Sequence, residues 1–195
     1  FKILIGFFQA LKIIFDFKPQ AVMIAGSFVG VPVAWAAWFW RAPILVHQQD
    51  IIPGLANKLM ANIASRITVA FEISLKDFQF KKTVLTGNPV RPEFFSCRPE
   101  QSRDFFGLKK DLPTLLILGG GTGAQKINGL AAEVLPRLLN FCQVLHLCGA
   151  GKKINFEAQN YHQYEFLTNE MPEALCAADL VVSRAGLSTL SELII

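Results

Sequence analysis

The chain has 195 residues, 52% of them hydrophobic and 17% charged, with a formal net charge of +4. This composition excludes a disordered chain, and so small a positive charge does not call for nucleic acid as a partner. The length suits one large domain or two small ones.

The first apolar run, FKILIGFFQALKIIFDF, predicts a helix over 3–17. Ala21 to Trp40 then runs for 20 residues without a charge, the length of a membrane span. Gly26, Ser27, Gly30 and Pro32 interrupt it, and Pro19 and Pro43 bound it. It therefore reads as a buried strand over 21–25, a loop, and a helix over 31–41. Lys2 and Lys12 lie within the apolar stretch rather than ahead of it, unlike a signal peptide, so the chain reads as soluble.

Further strands are expected at 44–47, 67–70, 83–86, 115–118, 143–147, 164–167 and 180–183. Helices are expected at 54–64, 124–139, 172–178 and 188–195. Continuous apolar strands alternating with helices imply α/β architecture, with parallel sheets covered on both faces. Arg91 to Pro113 carries three prolines and mixed charge, which places a connecting segment at 92–112 between units 1–91 and 113–195. Phe1 is no initiator, and Ile195 falls inside an apolar helical run, so the sequence reads as an internal piece of a longer protein. Cys97, Cys142, Cys148 and Cys176 form no C-x-x-C pair and read as reduced thiols of a cytosolic protein.

In open α/β sheets ligands bind beyond the carboxyl ends of the strands, and the polar clusters fall there in succession. Ser27-Phe28 follows the first strand, and Gln49-Asp50-Ile51-Ile52-Pro53-Gly54 the second. Gly87-Asn88-Pro89-Val90-Arg91 and Arg184-Ala185-Gly186-Leu187-Ser188-Thr189 follow later ones. The apolar run at 115–118 leads into Gly119-Gly120-Gly121-Thr122-Gly123 and a helix start. Such a turn binds anions through backbone N–H groups and the helix dipole.

Gly119, Gly121 and Ala124 fit the dinucleotide fingerprint G-x-G-x-x-G/A. That motif needs an acidic residue about 20 positions on for the ribose. The segment QVLHLCGAGKK supplies none before Glu157, which excludes the NAD reading, and no G-K-[ST] follows to make a Walker-A loop. In SRAGLSTLSE, Ser188 is read as a helix cap and Glu192, within the first turn, as the acceptor for two ribose hydroxyls.

Five ordered segments carry a family resemblance. They are Gly26-Ser27-Phe28-Val29; His47-Gln48-Gln49-Asp50 with Pro53-Gly54-Leu55-Ala56-Asn57-Lys58; Gly87-Asn88-Pro89-Val90-Arg91; the glycine turn; and Ser183–Glu192. Together they resemble the MurG family, bacterial UDP-N-acetylglucosamine:lipid I N-acetylglucosaminyltransferases of peptidoglycan synthesis. The resemblance implies a GT-B fold of two Rossmann-like, doubly wound domains facing a cleft, both incomplete in this chain. It implies inverting transfer of GlcNAc from UDP-GlcNAc to lipid I, giving lipid II. Residues 1–91 would belong to the N-terminal, acceptor and membrane domain, and 113–195 to the UDP-GlcNAc domain.

Carried over by motif, Arg91 would contact the nucleotide-sugar, and Gly121 takes the place of a donor-contacting serine, with Thr122 beside it to supply a hydroxyl. Leu167 would lie beside the uracil. Leu187, Ser188, Thr189, Leu190, Ser191 and Glu192 would wrap the nucleotide, with Glu192 on the ribose. Asp50 stands where the family usually has Asn near the sugar, and Gln48 where it usually has Glu.

The family's glycine-rich loop with its catalytic-site His would precede Phe1, and its donor-site glutamines would follow Ile195. No residue here is therefore assigned as the catalytic base, and the 195 residues alone are expected not to turn over substrate. His47 reads as a hydrogen-bonded support residue, His146 as lying inside a strand and His162 in a polar loop. There is no D-x-D, so no metal or other cofactor is expected; helix N-termini would bear the charge of the leaving UDP. The first helix resembles the family's membrane-facing helix. Phe7, Phe8, Leu11 and Phe15, with Lys12 and Lys18, would meet the anionic inner leaflet of the cell membrane, making the protein peripheral to its cytoplasmic face. The alternatives are another UDP-sugar enzyme of this fold, such as a UDP-GlcNAc 2-epimerase, or a non-catalytic nucleotide-sugar-binding module.

Overall fold

A computed structural model describes residues 2–120 and 124–194. The chain divides into Phe1–Asn88 and Pro89–Ile195, each built on a four-stranded sheet in which every pairing is parallel.

In the first unit α1 (Lys2–Phe17) leads into β1 (Val22–Ile24), α2 (Gly30–Phe39), β2 (Ile44–Gln48), α3 (Leu55–Ala61), β3 (Arg66–Val69) and β4 (Thr83–Leu85). The strands lie side by side in chain order. The apolar stretch at 21–40 is thus a strand and a helix, and among the described residues no helix is long and apolar enough to cross a membrane. The core sets Ile24, Ile44, Val46, Ile67 and Val69 against Met60, Ile14 and three alanines of α2. Ala34, Ala36 and Ala37 have no exposed surface, and their small side chains bring α2 close to the sheet.

In the second unit α4 (Pro99–Phe105) precedes β5 (Thr114–Leu118), α5 (Gln125–Leu138), β6 (Gln143–Leu147), β7 (Tyr161–Tyr164), α6 (Met171–Ala177), β8 (Leu180–Ser183) and α7 (Leu187–Leu193). The spatial order is β7-β6-β5-β8. Every residue of β5 and β6 is buried, and alternation sends them to two cores. Leu116, Leu118, Leu145 and Leu147 pack with Ala174 and Ala177 of α6, whereas Leu115, Ile117 and Val144 pack with Ala131 and Leu135 of α5. Both faces of these strands are covered, which is why their sequences are continuously apolar. The edge strands β1 and β8 depart from that expectation, because Met23, Leu180 and Val182 are exposed.

Two further differences concern local structure. Residues 92–112 contain a short 3-10 turn at Pro92–Phe95 and α4, whose Pro99 occupies a position that needs no N–H donor. Arg103 of α4 donates to both carboxylate oxygens of Asp179 at 2.7 and 2.8 Å, while Asp179 Oδ2 accepts from Thr114 N at 2.7 Å. The segment is thereby fastened to the start of β5. Strand β7 spans Tyr161–Tyr164 rather than 164–167, and His162 lies in it rather than in a loop. The register pairs Val144 with Tyr161 and Leu147 with Tyr164, and the buried Tyr161 anchors it. Phe166 is exposed, so the apolar run YEFL leaves the sheet after its first residue.

Gly30 opens α2 where a Cβ would stand 2.6 Å from Ile24 Cγ2. Because Ile24 is β-branched and stiff at χ1, it cannot swing aside freely. Gly30→Ala is expected to lower stability by about 1–3 kcal/mol by overpacking, read from chemical denaturation of the intact protein. An unchanged midpoint would mean that the contact relaxes at no cost.

Candidate functional site

The second unit gathers its polar residues where the strands end. Between the end of β5 and the start of α5 runs the glycine turn, of which Gly119, Gly120 and Ala124 are described; Gly121 and Thr122, both expected at the site, lie outside the described residues. Gly120 has φ +82°, a conformation that a Cβ would strain. Helix α5 begins at Gln125 with no side-chain cap on Ala124 and no acidic residue in its first turn. No described side chain of the helix's own thus competes for its leading N–H groups, which suits them to an external anion.

A cavity of about 240 Å³ adjoins this turn, lined by Gly120, Arg91, Phe166, Leu167, Thr189 and Glu192 among others. A second hollow of about 300 Å³ shares Gly120 and Thr189 and reaches Gly119 and Gly186. The two together pass from an apolar wall at Phe166 and Leu167 to the backbone of the glycine turn.

Arg91 spans the first cavity. Its Nη1 donates to the Thr168 carbonyl at 2.7 Å and its Nη2 to Glu192 Oε1 at 3.1 Å, while the guanidinium lies 5.1 Å from the Phe94 ring centroid. The Glu192 side chain is only 17% exposed against 38% for Arg91. A partly exposed pair of this kind contributes about 0–1 kcal/mol, so it orients the carboxylate without locking it away from a ligand's hydroxyls.

The structure brings Arg91, Leu167, Thr189 and Glu192 together, and the last two share a helix face through their i,i+3 spacing. It does not place Leu187, Ser188, Leu190 or Ser191 on the wall of either hollow. The helix cap is Gly186, not Ser188, because α7 already begins at Leu187. Ser191 Oγ donates to the Leu187 carbonyl at 2.8 Å, one turn back along the helix. Phe166 and the Thr168 carbonyl were not anticipated. An aromatic residue just past a strand was their only sequence signal, and it was absorbed into the misplaced strand.

In the first unit the polar residues after β2 form a support network. Gln48 is buried and its Nε2 donates to the Asp50 carbonyl at 2.7 Å and the Ile52 carbonyl at 3.3 Å, while its Oε1 accepts from Asn57 Nδ2 at 2.6 Å. The amide at 48 thus shapes the loop that carries the exposed Asp50, with donors that a Glu carboxylate would lack. His47 is buried with Nδ1 2.8 Å from Thr68 Oγ1 and Nε2 3.1 Å from Asn88 Oδ1. Both nitrogens are engaged, as a support role requires.

His146 is likewise enclosed, between Tyr161 Oη at 2.9 Å and Asn128 Oδ1 at 3.1 Å. Burial disfavours the imidazolium and pushes its pKa down from 6.5 to about 4; burial also lowers that of His162. The four cysteines form no disulfide. Among the described residues no three His, Cys, Asp or Glu side chains come together as a metal-binding group.

On α1, Phe8 and Phe15 are exposed by 67% and 58%, and Phe15 meets the Trp40 ring edge-on at 5.4 Å. Phe7 and Leu11 are instead half-buried and pack into the first core. Trp35, Trp38 and Phe39 of α2 are exposed as well.

Comparison with known proteins finds two family models. The glycosyltransferase family 28 N-terminal domain matches residues 1–69 and the glycosyltransferase family 28 C-terminal domain matches residues 114–195. A UDP-N-acetylglucosamine--N-acetylmuramyl-(pentapeptide) pyrophosphoryl-undecaprenol N-acetylglucosamine transferase of Lachnoclostridium phytofermentans is 41% identical over 197 residues, covering 100% of this chain and 55% of the relative. The protein of the same name from Clostridium botulinum is 40% identical, with 100% and 55% covered. The chain thus spans about half the length of the curated relatives it matches. Among solved structures, Acinetobacter baumannii MurG aligns with a TM-score of 0.64 and 26% identity, covering 97% of this chain and 54% of that one. A Neisseria meningitidis UDP-GlcNAc 2-epimerase bound to UDP-GlcNAc aligns with a TM-score of 0.68 over 93% and 59%, but at 14% identity it speaks for the fold alone. The α/β, GT-B-type reading of the two parallel sheets holds.

The buried neutral His146 makes stability depend on pH. Below pH 6.5 the unfolded chain takes up a proton that the folded state refuses until about pH 4, so stability present above 6.5 is lost across that window. The loss is expected to reach about 3 kcal/mol at most. Denaturation midpoints of the intact protein compared with His146→Gln from pH 7 to 4 should show a smaller loss in the variant; parallel curves would refute the assignment.

Proposed function

Because the chain belongs to glycosyltransferase family 28, we propose that it forms part of an inverting transferase that moves GlcNAc from UDP-GlcNAc to lipid I, making lipid II for peptidoglycan. The observation that carries this reading is the convergence of Arg91, Leu167, Thr189 and Glu192 on one cavity that runs to the glycine turn. Uracil would lie against Leu167 and Phe166, and the Glu192 carboxylate would accept hydrogen bonds from the ribose hydroxyls. The glycine turn and the uncapped start of α5 would face the diphosphate.

In the reaction the acceptor hydroxyl oxygen attacks the sugar's anomeric carbon from the face opposite UDP. A new C–O bond forms as the bond to the phosphate oxygen breaks, UDP departs with the electron pair, and the hydroxyl proton passes to a general base. Preorganised N–H donors at α5 would stabilise the charge growing on that diphosphate. Asp50 is read as a sugar contact on the loop that Gln48 shapes. His47 and His146 have both ring nitrogens engaged and take no part as base.

The exposed aromatic residues support a peripheral membrane role. Phe8 and Phe15, with exposed Lys12 and Lys18 nearby in the chain and Trp40 against the Phe15 ring, suit the interface of an anionic bilayer. Phe7 and Leu11 serve the core side of the same helix.

Glu192→Ala in the intact protein is expected to weaken both UDP-GlcNAc and uridine by about tenfold or more in calorimetric titration, the loss of charge-assisted hydrogen bonds. An unaltered Kd would remove the ribose assignment. In co-sedimentation with anionic vesicles, Phe8→Ser and Phe15→Ser should reduce the bound fraction several-fold, whereas Leu11→Ser should lower thermal stability instead. Equal binding by all three and the unmodified protein would point to a purely structural α1.

A further inference from the structure

The glycine turn joins two held ends. One end is the last residue of β5, fixed by the pairing of Leu118 with Leu147. The other end is the first turn of α5, and an unusual buried polar chain holds that turn.

Asn128 is the fourth residue of α5 and is buried. Its Nδ2 donates to the Cys148 carbonyl at 2.8 Å and to the Lys152 carbonyl at 3.3 Å, both in the loop at the carboxyl end of β6. Its amide orientation is thereby fixed, and Oδ1 faces His146 Nε2 at 3.1 Å. That nitrogen must carry the proton, which leaves Nδ1 to accept from the Tyr161 hydroxyl at 2.9 Å. The bonds run in one direction, from Tyr161 through His146 and Asn128 to two backbone carbonyls. His146 has no exposed surface and Tyr161 is buried. A leucine at 146 would fill the same wall of the core, so packing alone does not call for an imidazole here.

We propose that Tyr161, His146 and Asn128 form a positioning relay that holds the first turn of α5 in the place from which its leading N–H groups meet a nucleoside diphosphate. The inference rests on the donor-site reading above and assigns the relay to one part of that ligand. The relay anchors α5 to β6, whereas Arg91, Leu167 and Glu192 stand on other segments. Loss of the relay therefore affects the diphosphate and spares the nucleoside. None of its three residues is among those lining either hollow, so each acts through the backbone it holds.

The test compares UDP with uridine by calorimetric titration on the intact protein, using His146→Phe, Asn128→Ala and His146→Gln. His146→Phe and Asn128→Ala are expected to weaken UDP at least tenfold and leave uridine within twofold. His146→Gln retains a donor toward Asn128 Oδ1 and should keep UDP within about threefold of the unmodified protein. Equal weakening of UDP and uridine would reduce the relay to general stability, and UDP binding unchanged in both disruptive variants would overturn it. Should His146→Phe fail to fold, Asn128→Ala decides alone, since alanine suits a helix interior. Absence of UDP binding by the unmodified protein would remove the donor-site reading together with the relay.

Discussion

A parallel strand packed between helices has no free face, and everything else in this protein follows from that constraint. In β5 and β6 every residue is buried and the apolar side chains divide between two cores, so no ligand can be read from the middle of the sheet. Ligand-binding groups must collect where the strands end and the backbone still has N–H groups to offer. The glycine turn, the loop carrying Leu167 and Thr168, and the start of α7 all occupy such ends. The same constraint accounts for a candidate site lined by backbone, an arginine and a glutamate, with apolar side chains as its wall.

Such loops need holding, and the buried polar residues do that. Gln48 hydrogen-bonds the carbonyls on either side of Ile51, and Gln143 fixes the approach to β5 through the Lys109 and Leu112 carbonyls. Asn128 does so for the loop after β6. Each carries an amide, which donates and accepts at once and stays neutral, so it can be buried without the desolvation cost of a charge. His146 belongs to this group only because its environment keeps it neutral. The charged residues Arg91 and Glu192, by contrast, keep contact with solvent and remain available to a ligand.

Much of the fold was legible because alternation of apolar runs and helical spacing is local. The strand at 143–147 and the start of the glycine turn follow from residues within one window. The strand near Tyr164 was misplaced for an equally physical reason. YEFL looks like a buried run, but Tyr161 gains a partner in His146 and pulls the register three residues earlier. Helix α4 escaped notice because its sequence, PEQSRDF, is polar and its one buried residue is Ser102. Glu192 and Leu167, expected from motif order, line one cavity, while Ser188 was wrongly given the cap that Gly186 provides.

The sequence by itself determined the alternating architecture, a glycine-rich run between strand and helix, the exclusion of a dinucleotide motif and the resemblance to a transferase family. These depend on periodicity, on glycine's backbone freedom and on residues at fixed spacing, all of which neighbouring positions record. Only the tertiary structure decided that Arg91 meets Glu192 across 101 positions of sequence, and that Phe8 and Phe15 face outward while Phe7 and Leu11 face the core. It alone set the direction of the Tyr161–His146–Asn128 chain. Those outcomes depend on which distant surfaces are pressed together, and on the need of each buried polar atom to find a partner there.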